Sequence, residues 1–260
     1  MGGGGVAVRL ASSSLQFPNS AAGRCAVPRG WRGAVVPAYS FVRPYQATPR
    51  GQAPFILAIG DSICHGRIPD GLGGITYTGG WRRYIYAALV ARSLTPTMIG
   101  VLLNSSDGLA LSVAGLAHSG NDGATTAGWI SAFAATKPTW DAQGTPTIVC
   151  LTTGANDGNT TAAGQSIGTL IDLAIAAYPL ANIIVSTRTP NLGVASNLIN
   201  AQIAVEVANR KATGRHIQLV DAFSAVPANT GYFPDTLHPS ASGYSLLGDL
   251  WANAIVPLVT

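Results

Sequence analysis

Four short segments of the 260-residue chain collect residue types that can do chemistry. Gly60-Asp61-Ser62-Ile63 carries a hydroxyl. His118-Ser119-Gly120-Asn121-Asp122-Gly123-Ala124-Thr125-Thr126 is dense in small and polar residues. Gly154-Ala155-Asn156-Asp157 carries a side-chain amide. Asp235-Thr236-Leu237-His238-Pro239 places an acid three residues before an imidazole. A serine hydroxyl is a weak nucleophile until a base takes its proton. His238 offers that base to Ser62, and Asp235 can reach the second imidazole nitrogen across one turn and fix its tautomer. Attack on a carbonyl loads negative charge onto its oxygen, which then needs fixed donors. Gly123 can bring a backbone N–H close to a ligand without interference from a Cβ. Asn156 supplies a side-chain NH₂. Nucleophile, base, orienter and oxyanion donors are together what acyl transfer requires.

Each residue also has a plainer reading. Ser62 could be an ordinary loop serine. Asp235 could cap a turn, and Asn156 could be a left-handed turn residue. His238 before Pro239 fits a helix start, since proline favours the first helical position and keeps its predecessor extended. That geometry also aims the imidazole back at the edge of the sheet, so the two readings coexist. Asp61 reads as a brace for the Ser62 loop through backbone N–H groups, and Asp157 and Thr125 as supporting residues. His65 and His118, with Asp61, Asp70 and Asp122, suggest a metal site, but no His-x-Asp or His-Glu-x-x-His spacing appears. Cys64 beside His65 is not a dyad, because neighbouring side chains diverge in extended chain. Cys64 and Cys150 read as buried free thiols, and with Cys25 they form no metal spacing. Among the aromatics, Trp81 and Trp129 read as core, and Tyr232 and Phe233 as a substrate wall.

Positioning these residues takes a scaffold whose loops converge. From Pro54 onward, apolar runs alternate with helical periods. Strands are predicted at 55–60, 97–103, 146–154, 182–188 and 217–223. Helices are predicted at 81–94, 126–135, 162–178, 196–211 and 240–256. The first presents Tyr84, Ala88 and Ala91 on one face, with Arg82, Arg83 and Arg92 available to solvent. The second is closed by Lys137 and Pro138. The third places Ile167, Leu170, Ile171 and Ala174 on one stripe. Five apolar strands alternating with helices predict an α/β fold, a parallel sheet covered on both faces. The right-handed crossover rule then gathers the loops after the strands at one edge.

Composition narrows the function classes. Hydrophobic residues make up 47% and charged residues 10%, which excludes global disorder. No apolar run approaches the ~18 residues of a membrane span. The net charge of +4 is uneven: residues 1–50 hold six arginines and no acid, and the other 210 residues carry −2. A basic stripe across the folded part is therefore absent, and nucleic acid is not the expected partner. Residues 1–53 form a basic Gly/Ser/Pro/Arg-rich extension without the apolar stretch of a secretory leader. Their composition suits a transit peptide, but an unstructured arm or an upstream start is the preferred reading. Ala34–Tyr45 is apolar enough to lie against the domain of residues 54–260.

The four segments resemble those of the SGNH, or GDSL-type, serine esterase superfamily. Ser62 in GDSI, Gly123 in the Gly-x-Thr loop, Asn156 in GAND and His238 in DTLHP match its four naming residues. The resemblance spans about residues 54–258. It implies a flavodoxin-like three-layer α/β/α fold with a five-stranded parallel sheet of order 2-1-3-4-5. It also implies ester hydrolysis without a cofactor or metal, and an oxyanion hole that adds the Ser62 backbone N–H to Gly123 and Asn156. Cys64 departs from the threonine of many members. Asn121-Asp122 departs from the usual small residue and serine, which leaves Gly120 as a rival to Gly123; Gly123 is preferred because Ala-Thr-Thr follows it at the usual spacing. The closing segment LHPSASGYSLLGDLWANAI is similar to that of microbial carbohydrate acetylesterases, which implies short acyl groups on sugars. The alternatives are a lipid-directed esterase or thioesterase of the same superfamily, and a glycan-binding module without activity.

Overall fold

A computed structural model of the chain describes residues 51–69, 74–103 and 117–260. Residues 1–50, with Cys25 and the Ala34–Tyr45 stretch, lie outside the described residues, as does Asp70.

The sheet is built from β1 (Phe55–Gly60), β4 (Thr97–Ile99), β5 (Leu102–Leu103), β6 (Ala117–Gly120), β7 (Ile148–Thr152), β8 (Asn182–Ser186) and β9 (Ile217–Val220). A separate hairpin joins β2 (Arg67–Pro69) to β3 (Ile75–Tyr77). The helices are α1 (Ser62–His65), α2 (Gly80–Val90), α3 (Thr126–Asp141), α4 (Thr161–Ala177), α5 (Asn197–Ala212), α6 (Ala222–Ala225) and α7 (Ala241–Val259). The strand path β5-β6-β1-β7-β8-β9 keeps the expected 2-1-3-4-5 arrangement of five parallel positions. The difference lies in the second position, which two strands share. β4 pairs with the first half of β1 (Phe55↔Thr97) and β6 with its end (Gly60↔Gly120). Seven strands therefore replace the expected five, and β5 runs antiparallel on the edge beside β6.

Alternation along the strands feeds two cores. Ile56 and Ala58 of β1, with Ile148 and Cys150 of β7, pack under α2 and α7 among Trp81, Ile85, Leu89, Trp251 and Ile255. Leu57 and Ile59, with Val149 and Leu151, face α3, α4 and α5 among Trp129, Phe133, Trp140, Ile167, Ile171 and Ile203. Each fully buried Ile or Leu contributes roughly 1.5–3 kcal/mol by its removal from water. The second face follows the predicted stripe of α4: Ile167, Leu170, Ile171 and Ala174 are all buried.

Two helices depart from expectation. In α2 the buried stripe is Trp81, Ile85 and Leu89, not Tyr84, Ala88 and Ala91. Arg82 belongs to the buried side as well, fully shielded from solvent. It donates from Nε to the Cys64 carbonyl (2.9 Å) and from Nη2 to the His65 carbonyl (3.3 Å), so it serves the orphan carbonyls at the end of α1. α3 runs through Pro138 to Asp141. The proline costs only a bond near the helix end. The last turn is retained by the Lys137–Asp141 pair and by Trp140, which is buried and donates to Ser119 Oγ (2.8 Å).

Candidate active site

The site begins with register. Gly60, the last residue of β1, is level with Gly120 of β6 on one side and Thr152 of β7 on the other. The segments that follow these strands therefore leave the sheet side by side. Glycine is required for the approach: a Cβ on Gly60 would lie 2.3 Å from Thr152 Oγ1, and one on Gly120 would lie 2.4 Å from His65 N. Gly120 is thus a packing residue of the strand, and its N–H is taken by His118 Nδ1 (3.0 Å). Gly123 is different. It stands in the turn beyond β6 with φ +73°, and among the described residues, its chain neighbours aside, no atom lies within 4 Å of where its Cβ would be. It also borders a surface groove of about 550 Å³ shared with Asn121, Ala124, Thr125, Gly128, Trp129 and Ala132.

Ser62 opens α1, so its N–H has no acceptor within the helix. Asp61 caps that helix: one carboxylate oxygen accepts from Ile63 N–H (3.0 Å) and the other from Ala155 N–H (3.0 Å). The brace expected of Asp61 thus also ties the Ser62 loop to the Asn156 loop. Burial pushes the Asp61 carboxyl up to about 6, against the two N–H donors that favour its charge. Asp157 and Thr125 serve α3. Thr125 accepts from Gly128 N–H, and Asp157 accepts from Thr126 N–H and lies 2.5 Å from its hydroxyl.

Ser62 Oγ lies 2.8 Å from His238 Nε2, and His238 Nδ1 lies 2.6 Å from Asp235 Oδ2. The three side chains form a continuous chain across 176 residues of sequence separation between serine and histidine. Asp235 Oδ1 also accepts from Leu237 N–H (3.1 Å) and His238 N–H (2.7 Å). Burial pushes this carboxyl up. The His238 and Leu237 donors outweigh it and hold the group below its usual value, so Asp235 is ionised where it faces the ring. The turn between them needs Thr236 at φ +74°, a left-handed conformation that a β-branched residue resists. Leu192 N–H holds the Thr236 carbonyl at 2.7 Å. Such strain is kept only where the surroundings over-determine it.

Asn156 is exposed and donates from Nδ2 to the Ala124 carbonyl at 3.0 Å, next to Gly123. It is not left-handed; that conformation in its loop belongs to Gly154 at φ +116°. The structure thus gathers Ser62, His238 and Asp235 into one hydrogen-bonded chain, and joins the Gly123 turn to Asn156. Such an arrangement can transfer a proton from a hydroxyl to an imidazole.

The chain from residue 58 to residue 246 matches the model of the GDSL-like Lipase/Acylhydrolase family. The chain belongs to that family. Membership makes it a carboxylic ester hydrolase. A family 3 carbohydrate esterase of Clostridium thermocellum has a similar structure, with TM-score 0.64 and 22% identity over 79% of this chain and 97% of that one. A family 3 carbohydrate esterase of Talaromyces cellulolyticus gives TM-score 0.63 and 18% identity over 79% and 98%. A lipase/acylhydrolase of Enterococcus faecalis gives 0.57 and 18% over 80% and 97%. No curated protein matches the chain.

Trp81 and Trp129 are core, as read, and Trp129 Nε1 donates to the Gly60 carbonyl (2.8 Å). Phe233 is core too, fully buried, and cannot form a substrate wall; Tyr232 is partly exposed. Cys64 and Cys150 are buried and free. Among the described residues, no three His, Cys, Asp or Glu side chains are grouped to hold a metal ion, and no helix is long and apolar enough to cross a membrane. The sequence reading missed the β2–β3 hairpin, whose Arg67 and Tyr77 reach Asp122. The turn-rich DGLGG between RIP and ITY was the available signal.

His118 gives a stability test. It is fully buried in β6, and burial, then Arg82 and His65, pull its imidazole down to about 2 from 6.5. The unfolded chain therefore binds a proton that the folded chain refuses, so stability is lost as pH falls below 6.5. An asparagine could still accept the Gly120 N–H without titrating. Urea unfolding should show the wild type losing about 1 kcal/mol more than His118→Asn between pH 6.5 and 5.5, near the 1.36 kcal/mol per unit limit. Parallel slopes for the two proteins would contradict a neutral buried His118.

Proposed function

We propose that the protein is a serine esterase that removes short acyl groups, acetyl above all, from carbohydrate. The observation that carries the reading is the unbroken chain Ser62 Oγ–His238–Asp235, at 2.8 and 2.6 Å. In this reading His238 Nε2 takes the Ser62 proton as Oγ attacks the ester carbonyl. Asp235 holds the ring in the tautomer that leaves Nε2 able to accept. The oxyanion lies against Ser62 N–H, Gly123 N–H and Asn156 Nδ2. Collapse expels the alcohol, which receives the proton from His238. Water, deprotonated by the same imidazole, then releases the acid and restores Ser62. All of the groups come from the chain itself.

Two facts support a short acyl group. Ser62 and His238 are only 2% and 5% exposed, so little of either residue is open to a bulky ester. Two similar structures are those of family 3 carbohydrate esterases. The deciding experiment is a panel of aryl esters of rising acyl length, beside acetylated xylan and a lysophospholipid. Rates should fall steeply beyond acetyl, with acetate released from xylan. Preference for long chains or the phospholipid would turn the assignment to a lipid-directed esterase, and no turnover at all to a glycan-binding module. Activity should also survive EDTA; loss on chelation, restored by zinc or manganese, would draw His65 and His118 into the chemistry.

A further inference from the structure

Of the three proposed oxyanion donors, Gly123 alone has nothing of its own to hold it. Ser62 N–H is fixed by a capped helix, and the Asn156 amide by its own hydrogen bond. Gly123 has no side chain, so the direction of its N–H is set by the residues around it. Ala124 N–H donates to the Asn121 carbonyl (3.0 Å), which makes Asp122 and Gly123 the central residues of a tight turn. With Gly123 at φ +73° and Asp122 outside the left-handed region, this is the type II pattern. Asn121 N–H anchors the start of the turn on the Gly60 carbonyl (3.1 Å), and Asn156 grips the Ala124 carbonyl at its end.

The middle is held by Asp122. Its carboxylate accepts from Tyr77 Oη at 2.7 Å, His65 Nδ1 at 2.9 Å and Arg67 Nη1 at 3.4 Å. These donors are organised among themselves. Arg67 and Tyr77 are register partners across the β2–β3 hairpin, and the Tyr77 ring stacks on His65 with centroids 4.0 Å apart. His65 is the last residue of α1, the four-residue helix that begins with Ser62. The Asp122 side chain is 28% exposed, so this is a partly buried, three-donor assembly and not a free surface ion pair.

We propose that Asp122 is a positioning residue for catalysis: gripped by His65, Tyr77 and Arg67, it holds the Gly123 N–H in place relative to Ser62. The proposal rests on the reading of Ser62 and Gly123 given above. Its physical basis is the sharpness of the requirement, since an oxyanion donor must sit about 2.7–3.1 Å from the developing charge. One short helix carries the nucleophile at its first residue and the clamp's imidazole at its last. The hairpin, which does not join the main sheet, thereby acquires a role in the site.

The test uses the full chain, an aryl acetate and phenylboronic acid, whose tetrahedral adduct with a serine occupies an oxyanion site. Asp122→Ala should lower kcat by about 10- to 100-fold with KM within about threefold, as expected for a misplaced group that acts in the transition state. The inhibition constant for the boronic acid should rise by a similar factor. Asp122→Asn should recover part of the loss, because its amide oxygen still accepts. Tyr77→Phe, which keeps the stacked ring and removes only the hydroxyl, should cost about 2- to 10-fold in kcat, the worth of one hydrogen bond. If Asp122→Ala does not fold, Tyr77→Phe decides, and unchanged kcat and boronate affinity there would overturn the proposal. It is also overturned if Asp122→Ala folds and keeps wild-type kcat, or if its kcat falls only with the folded fraction. In those cases an inactive Ser62→Ala leaves the esterase reading standing. An active Ser62→Ala removes both.

Discussion

Ser62→Ala is expected to abolish ester turnover, with kcat lower by about 10⁴–10⁶ and the thermal midpoint nearly unchanged. The substitution removes one oxygen from a residue that is 2% exposed, so the cavity left behind is smaller than a methyl group. The Asp61 cap on α1 involves the Ile63 N–H and not the serine hydroxyl, so the helix survives. Asp235→Asn should come close in effect, about 10⁴ in kcat, for a different reason. Asn Oδ1 can keep the Leu237 and His238 N–H bonds that shape the turn. Its NH₂, however, would face His238 Nδ1 and drive the ring proton to Nε2, where it confronts Ser62 Oγ. The result would be a folded protein whose imidazole cannot accept. Asp235→Ala, by contrast, should lower the melting temperature as well, because two N–H groups lose their acceptor. Kinetics and melting curves on the three variants separate these cases, and near-normal kcat in Ser62→Ala would end the serine-esterase reading.

What the sequence discloses about this site depends on how local each signal is. Phe55–Gly60 is legible to the residue because an apolar run ends in a glycine, and α4 because its stripe keeps helical spacing over about two turns. The four reactive segments are legible because turn residues and hydrogen-bonding groups concentrate there. β6 is not. Ala117-His118-Ser119-Gly120 has no β-branched residue, and it is a strand because Gly60 and Leu102 pair with it. The same holds for Arg82. A helical arginine reads as solvated, and only the packing of α2 beneath α1 turns it toward the Cys64 and His65 carbonyls. Phe233 precedes the Asp235 turn and looks placed for substrate, yet it fills the core under α7. Nor does spacing reveal that Asp122 meets Arg67 and Tyr77, 55 and 45 residues away. Residue types announce the chemistry; contacts across the fold decide which neighbours hold it in place.

Asn156→Ala should depress kcat by about 10²–10³, or roughly 2.7–4 kcal/mol of transition-state stabilisation, while KM stays nearly constant. Ser62 and His238 activate the attack but do nothing for the charge that then forms on the carbonyl oxygen. Two of the proposed donors, the N–H groups of Ser62 and Gly123, survive any side-chain substitution. The Asn156 amide does not. It has two protons: one goes to the Ala124 carbonyl at 3.0 Å, and the proposed site assigns the other to the oxyanion. Its loss therefore removes a donor and also one anchor of the Gly123 turn. The ground-state carbonyl carries less charge than the transition state, so binding changes little while the rate falls. Labelling of Ser62 by a fluorophosphonate should slow but persist, because the nucleophile and base are untouched. The melting temperature should hold, since Asn156 is exposed and water can take over the Ala124 carbonyl. A residue that merely shaped its turn would behave the other way, with a lowered melting temperature and kcat within a few-fold of wild type. That pattern would take Asn156 out of the site and leave Ser62 and Gly123 to carry the oxyanion alone.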